Sequence, residues 1–263
     1  MPLVELIGPP AVGKSTLVNA AVRRGALDAR RQLLAPRHPL VAPFSGWARR
    51  VTGRKGPLQM VADRVLTEPG FVRIEAALTR MAPDWRAFLM FVLEGPGAPA
   101  ARTPESLALV VMERGWLLDA TRLRALISSQ PPHNGVQLLD EGLTHPYKAL
   151  AAVGEDPSRL HRYAELVPLP DVLVVVELDV AEHMRRLRAR HQRTPGRVRW
   201  DALGSNVDDA TLLEEVQRVR RTVEVISTAA ETRGTPVLHL DATGRSPDEL
   251  ALQLLSDVGS GFR

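Results

Sequence analysis

The 263 residues predict an α/β fold of three layers, with a parallel sheet between two sets of helices and a long helical insertion. Three observations predict it. Residues 172–178 form a near-continuous apolar run of strand length, as in strands buried on both faces of a parallel sheet. A short apolar run at Leu3–Ile7 is followed at once by a helical pattern. Strand and helix patterns alternate again from residue 136 onward, the order that produces a covered parallel sheet.

The elements follow in order. Leu3–Ile7 reads as a buried strand ending at Gly8. Residues 14–24 read as a helix with Leu17, Val18 and Ala21 on its apolar face and Gly25 at its C-terminal cap. Residues 26–135 are broken early by Pro36, Pro39, Pro43, Gly46, Gly53, Gly56 and Pro57. Helical stretches follow at about 58–67, 70–81, 84–94 and 104–129, with a Gly/Pro break at 95–99 and no long strand. Residues 136–140 are a strand ending in Asp140. Asp179 with Glu182 makes a capping-box-like helix start after the 172–178 strand. Residues 208–232 are an amphipathic helix with Leu212, Val216, Val219, Val223 and Ile226 on one side, ended by Gly234. Residues 236–240 are the last strand. Ser246, Pro247 and Glu249 then open the final helix, with Pro at its first position and Glu three residues after the cap. The Pro/Gly stretches read as loops within one domain spanning 1–263.

Composition bounds the chemistry. Hydrophobic residues make up 44%, enough for a core, and aromatics only 4%, so the core is aliphatic. The absence of cysteine excludes a disulfide scaffold, a thiolate metal site and a cysteine nucleophile. No run approaches a membrane span, and the N-terminus lacks the basic and apolar regions of a secretory signal, so a cytoplasmic protein without a membrane partner is expected. The formal net charge is +4, and of 34 basic residues only Lys14, Lys55 and Lys148 are lysines. Such an arginine surplus suits nucleic acid, a solvated surface or phosphate ligands, which the guanidinium fork binds bidentately. A small-molecule acceptor is the expected partner rather than nucleic acid, and a homodimer is left open.

Gly8-Pro9-Pro10-Ala11-Val12-Gly13-Lys14-Ser15-Thr16 matches G-x-x-x-x-G-K-[ST] between a strand and a helix. The pattern predicts a phosphate loop of the P-loop NTPase type, binding ATP with Mg²⁺. Successive N–H groups turn inward, Lys14 reaches the β- and γ-phosphates, Ser15 ligates the metal, and the helix N-terminus faces the anion. A second carboxylate is expected at a neighbouring strand end, and Asp140 is the candidate; it also reads as a turn former before Gly142. Glu141 either orients an attacking hydroxyl or water, or faces solvent. Glu177 and Asp179 are weaker candidates. Arg185, Arg186, Arg188, Arg190, Arg193, Arg197 and Arg199 crowd 185–199, with Met184 and Leu187 as a buried edge. Thr194-Pro195-Gly196 breaks this helix, so 188–204 reads either as an arginine lid over the triphosphate or as a solvated basic face.

Together these residues resemble the nucleoside- and nucleotide-kinase group of P-loop proteins, especially the thymidylate-kinase-like branch. The matching features are Gly8–Thr16, Asp140 at a strand end, Pro170-Asp171 before the apolar strand, Arg186/Arg190 with Arg193, and Val237 to Ala242 as the last strand. The resemblance covers roughly 1–25 and 136–258. It implies a donor site with Lys14 and Asp140 and lid arginines Arg186, Arg190 and Arg193. Members of the branch carry Asp-Arg where this chain has Asp140-Glu141, so the acceptor does not carry over. Arg37, Arg73 and Arg114 are acceptor-side cations that nothing in the sequence singles out.

The expected function is therefore an ATP- and Mg²⁺-dependent phosphotransferase acting on a nucleoside, nucleotide or sugar. The alternative is a P-loop ATPase switch or regulatory nucleotide-binding protein, supported by the acid after Asp140. A GTPase is disfavoured because the guanine-reading Asn-Lys-x-Asp pattern is absent.

Overall fold

The computed structural model describes residues 2–28, 83–94, 117, 120, 121, 124, 127, 135–154, 156–193 and 208–261. The elements are β1 (Leu3–Ile7), α1 (Lys14–Val22), β2 (Leu27–Asp28), α2 (Pro83–Glu94), β3 (Gln137–Leu139), α3 (Pro146–Val153), α4 (Pro157–Leu166), β4 (Val172–Glu177), α5 (Val180–Arg193), α6 (Asp209–Thr232), β5 (Val237–Asp241) and α7 (Pro247–Gly261). Residues 117, 120, 121, 124 and 127 are also helical, within the expected 104–129 stretch. The expected helices at 58–67 and 70–81 lie outside the described residues.

All strand pairs are parallel, in the order β2-β3-β1-β4-β5. This is the expected three-layer α/β/α architecture. β1 lies between β3 and β4, so the chain winds outward from it in both directions, and ligands of such sheets gather at the carboxyl ends around that switch point. Alternation along each strand sorts the core. Val4, Leu6, Leu138, Val172, Val174 and Val176 face Leu17, Val18 and Ala21 of α1 and Leu250, Leu254 and Val258 of α7. Ile7, Leu173 and Val175 face a second cluster with Phe88 of α2, Ala149 of α3, Tyr163 of α4 and Val223 and Ile226 of α6.

The ends of these elements follow local chemistry. Asp208 caps α6 by accepting from Thr211 N at 2.8 Å, a bond of the kind that adds about 1 kcal/mol. Ser246 and Glu249 form the expected reciprocal capping box at α7. At α5 the box is only half made. Asp179 accepts from Glu182 N, but the Glu182 carboxylate turns to Arg185 and Arg186, and Asp179 N donates to Thr243 Oγ1 instead. Two arginines compete successfully with one backbone N–H. The Pro170-Asp171 pair ties strand starts together: Leu3 N donates to the Asp171 carboxylate at 2.7 Å, and Asp171 N to Leu3 O at 3.0 Å.

Candidate functional site: a phosphate loop between two strand ends

The loop from Gly8 to Lys14 leaves β1 where β4 is closest. A Cβ on Gly8 would stand 2.5 Å from the Val176 carbonyl oxygen, so no other residue fits without moving the backbone. The chain then makes a left-handed turn at Ala11 (φ 63°) and again at Gly13 (φ 108°). For alanine that conformation costs roughly 1 kcal/mol and must be held by its surroundings. Ala11 packs beside the Leu187, Leu212 and Val216 cluster.

Lys14 is 7% exposed and folds back into the loop, donating to Gly8 O at 2.6 Å and Pro9 O at 2.9 Å. The two prolines explain why those carbonyls are free to turn inward. A trans peptide opposes its C=O to the following N–H, and the peptides carrying Gly8 O and Pro9 O end on Pro9 and Pro10, which have no N–H to lose. From Ala11 to Thr16 the backbone N–H groups donate to no acceptor among the described residues. A buried ammonium and six such donors in one loop at a helix N-terminus are groups that can take an anion. Burial lowers the Lys14 pKa to about 8, against the opposing pull of Asp140 and Glu141. Ser15 and Thr16 are exposed at the start of α1.

The structure brings Asp140 and Glu141 to the same place. Asp140 directly follows β3, and both carboxylates act electrostatically on Lys14. The loop carrying them is fastened along its length. Lys148 donates to the carbonyls of Glu141 and Gly142, Tyr163 Oη donates to Leu143 O at 2.6 Å, and Glu5 Oε1 accepts from Thr144 N at 2.7 Å and Thr144 Oγ1 at 2.6 Å. Glu5 is 1% exposed, and burial raises its pKa above the usual carboxylate range. Gly142 rests directly on it: a Cβ there would overlap the carboxylate at 2.2 Å. His145, directly after Thr144, is held well below the usual histidine range by desolvation and by the charges of Lys14 and Lys148.

The arginine helix divides into separate roles. Arg185 and Arg186 pair with Glu182, and Arg186 also donates to Val12 O at 3.2 Å. Arg188 pairs with Asp209 of α6. Arg190 is exposed and acts electrostatically on Lys14. Arg193 ends α5. The buried edge of Met184 and Leu187 packs on Leu212 and Val216 as expected. Residues 194–204, with Arg197 and Arg199, lie outside the described residues, as do Arg37, Arg73 and Arg114. Glu177 lies 3.3 Å from His239, and Asp179 is the α5 cap. Sequence reasoning missed His183 and Glu5. His183, 1% exposed, donates from Nε2 to Pro10 O at 2.8 Å.

The parallel sheet, its order and the strand–loop–helix junction at Gly8–Thr16 define an α/β fold of the P-loop NTPase type. Among solved structures, a thymidylate kinase from Candida albicans is similar to this chain at 13% identity and a TM-score of 0.46, over 99% of this chain and 92% of its own. Likeness at that level carries no residue role or activity to this chain. No protein-family model and no curated protein matches it. No helix among the described residues is long and apolar enough to cross a membrane.

Proposed function

We propose that the protein is a phosphotransferase that moves the γ-phosphoryl group of ATP to a small acceptor, a nucleoside, nucleotide or sugar, with Mg²⁺. The observation that carries the reading is the buried Lys14 ammonium in a loop whose Ala11–Thr16 amides donate to no acceptor among the described residues. Those groups would hold the β- and γ-phosphates, and Lys14 would exchange its two carbonyl partners for phosphate oxygens. The donor set fits magnesium, a hard cation that takes one or two carboxylates and shares its shell with phosphates and water. Ser15 and Asp140 would hold it, and bound there it neutralises charge on the β- and γ-oxygens. An acceptor oxygen attacks the γ-phosphorus in line, the bond to the β–γ bridging oxygen breaks, and ADP leaves. In this reading Glu141 takes the acceptor proton, and Arg186, Arg190 and Arg193 balance charge on the transferred group.

Glu141 also supports a second reading, an ATPase switch or regulatory nucleotide-binding protein in which that carboxylate orients water. ADP release measured across nucleosides, nucleoside monophosphates, sugars and aminoglycosides separates the two. Phosphotransfer requires turnover that rises with one acceptor class and yields its phosphorylated product. Slow, acceptor-independent hydrolysis throughout rejects it in favour of the switch.

A further inference from the structure

α5 is more than a carrier of arginines, because two side chains on one of its faces hold carbonyls of the phosphate loop. His183 and Arg186 are three residues apart, and so neighbours on the helix surface. His183 Nε2 donates to Pro10 O at 2.8 Å, and Arg186 Nη1 donates to Val12 O at 3.2 Å. The carbonyls they hold flank Ala11, the one non-glycine residue in the left-handed conformation among the described residues.

The consequence follows from peptide planarity. Pro10 C=O and Ala11 N–H belong to one trans peptide and point in opposite directions. Drawing the carbonyl outward onto His183 turns the Ala11 N–H inward. The same holds for Val12 C=O on Arg186 and the Gly13 N–H. Ala11 supplies the first N–H of the loop after Gly8, since Pro9 and Pro10 have none.

We infer that His183 is a positioning residue for the phosphate loop: through Pro10 O it fixes the inward orientation of the Ala11 amide, and so the affinity of the loop for nucleotide phosphates. The inference rests on the nucleotide reading of the loop. Histidine suits the place because a neutral donor there adds no charge beside Lys14. Burial, with the charges of Arg220, Lys14 and Arg186, lowers its pKa against the opposing Pro10 hydrogen bond and so favours the neutral ring. Its other nitrogen, Nδ1, is buried with no hydrogen-bond partner among the described residues, which leaves the Pro10 contact as the ring's one polar anchor among them. A residue kept only for packing would not need to bury that unpaired nitrogen.

The test compares His183→Met, which fills the space without a donor, His183→Asn, whose amide is too short to reach, and His183→Gln, whose amide can replace Nε2–H. Two readouts are taken on the full chain: the Kd for Mg-ADP, and the amide resonances of Ala11 and Val12 without nucleotide. Met and Asn should each weaken Mg-ADP by about tenfold, the scale of one lost hydrogen bond, and shift both resonances, while Gln restores both. Two variants keep the comparison open if one fails to fold. Wild-type affinity in a folded Met or Asn variant overturns the inference, as do equal losses in Met, Asn and Gln. If the wild-type chain itself binds no Mg-ADP or Mg-ATP, the nucleotide reading fails. The resonances then still decide whether His183 sets the Ala11 amide, and unmoved resonances reject that role.

Discussion

Glu5 and Thr144 are joined by two hydrogen bonds to a single carboxylate oxygen, across 139 residues of sequence. The oxygen of a β1 side chain thereby holds the end of the loop that begins at Asp140. Its second oxygen, Oε2, is buried with no hydrogen-bond partner among the described residues. An ionised carboxylate so placed is costly, and this is why burial raises its pKa.

Stability should therefore depend on pH at this residue with a definite sign. The folded pKa lies above the unfolded value near 4.5, so the folded chain binds the proton more tightly. That contribution is fully present below about pH 4.5 and is lost as pH rises through the folded value. Glu5→Gln keeps an acceptor for Thr144 and cannot ionise. Its melting temperature relative to wild type should climb between pH 4.5 and 8. A difference that stays flat across that range would show that Glu5 titrates normally.

Lys14→Met should abolish Mg-nucleotide binding while leaving the fold intact. The residue is more buried than a surface phosphate ligand, so methionine, which replaces the aliphatic stem, is a cleaner probe than alanine. Loss of the bonds to Gly8 O and Pro9 O should change stability by on the order of 1 kcal/mol. Calorimetric titration with Mg-ADP and thermal melting check the two halves separately.

Asp140→Asn should lose most phosphotransfer, and added Mg²⁺ should restore part of it, because the change removes one negative charge beside Lys14. Full activity at low Mg²⁺ would assign the metal to another acid.

Glu141→Gln distinguishes a proton acceptor from a bystander. The backbone of Glu141 is pinned by Lys148 whatever its side chain does, so the substitution leaves the loop in place. A fall of about 10²-fold in kcat with unchanged ATP affinity is the expected result. An effect below roughly threefold would make Glu141 a solvent-facing residue.

Much of this architecture is legible in the sequence because it rests on period and punctuation. The apolar run of β4, the one-sided valines and leucines of α6 and the Ser246/Glu249 box announce themselves locally. β2 does not: Leu27–Asp28 is too short to carry a period and is a strand only because β3 lies alongside. α3 and α4 show Pro146 and Asp156-Pro157 at their starts, signals that were available but fall between the more conspicuous motifs. The phosphate loop is a contiguous motif and reads directly. Its supports do not, since Glu5 interrupts an apolar run and His183 sits unmarked just before a run of arginines. Their meaning depends on partners 139 and 173 residues away, which no local pattern encodes.

The packing of α1 against α7 bears on how the chain is made. Arg24 at the end of α1 pairs with Asp248 at the start of α7, 224 positions later, and Leu17, Val18 and Ala21 are covered by Leu250, Leu254 and Val258. During translation α1 emerges before β3, β4 and α7, and the part of its inner face that α7 covers stays wet until that helix has left the ribosome. A ribosome stalled before residue 247 would hold α1 on the sheet alone, with Leu17, Val18 and Ala21 only partly covered. The loop ahead of α1 should therefore reach its full stability only when α7 has packed.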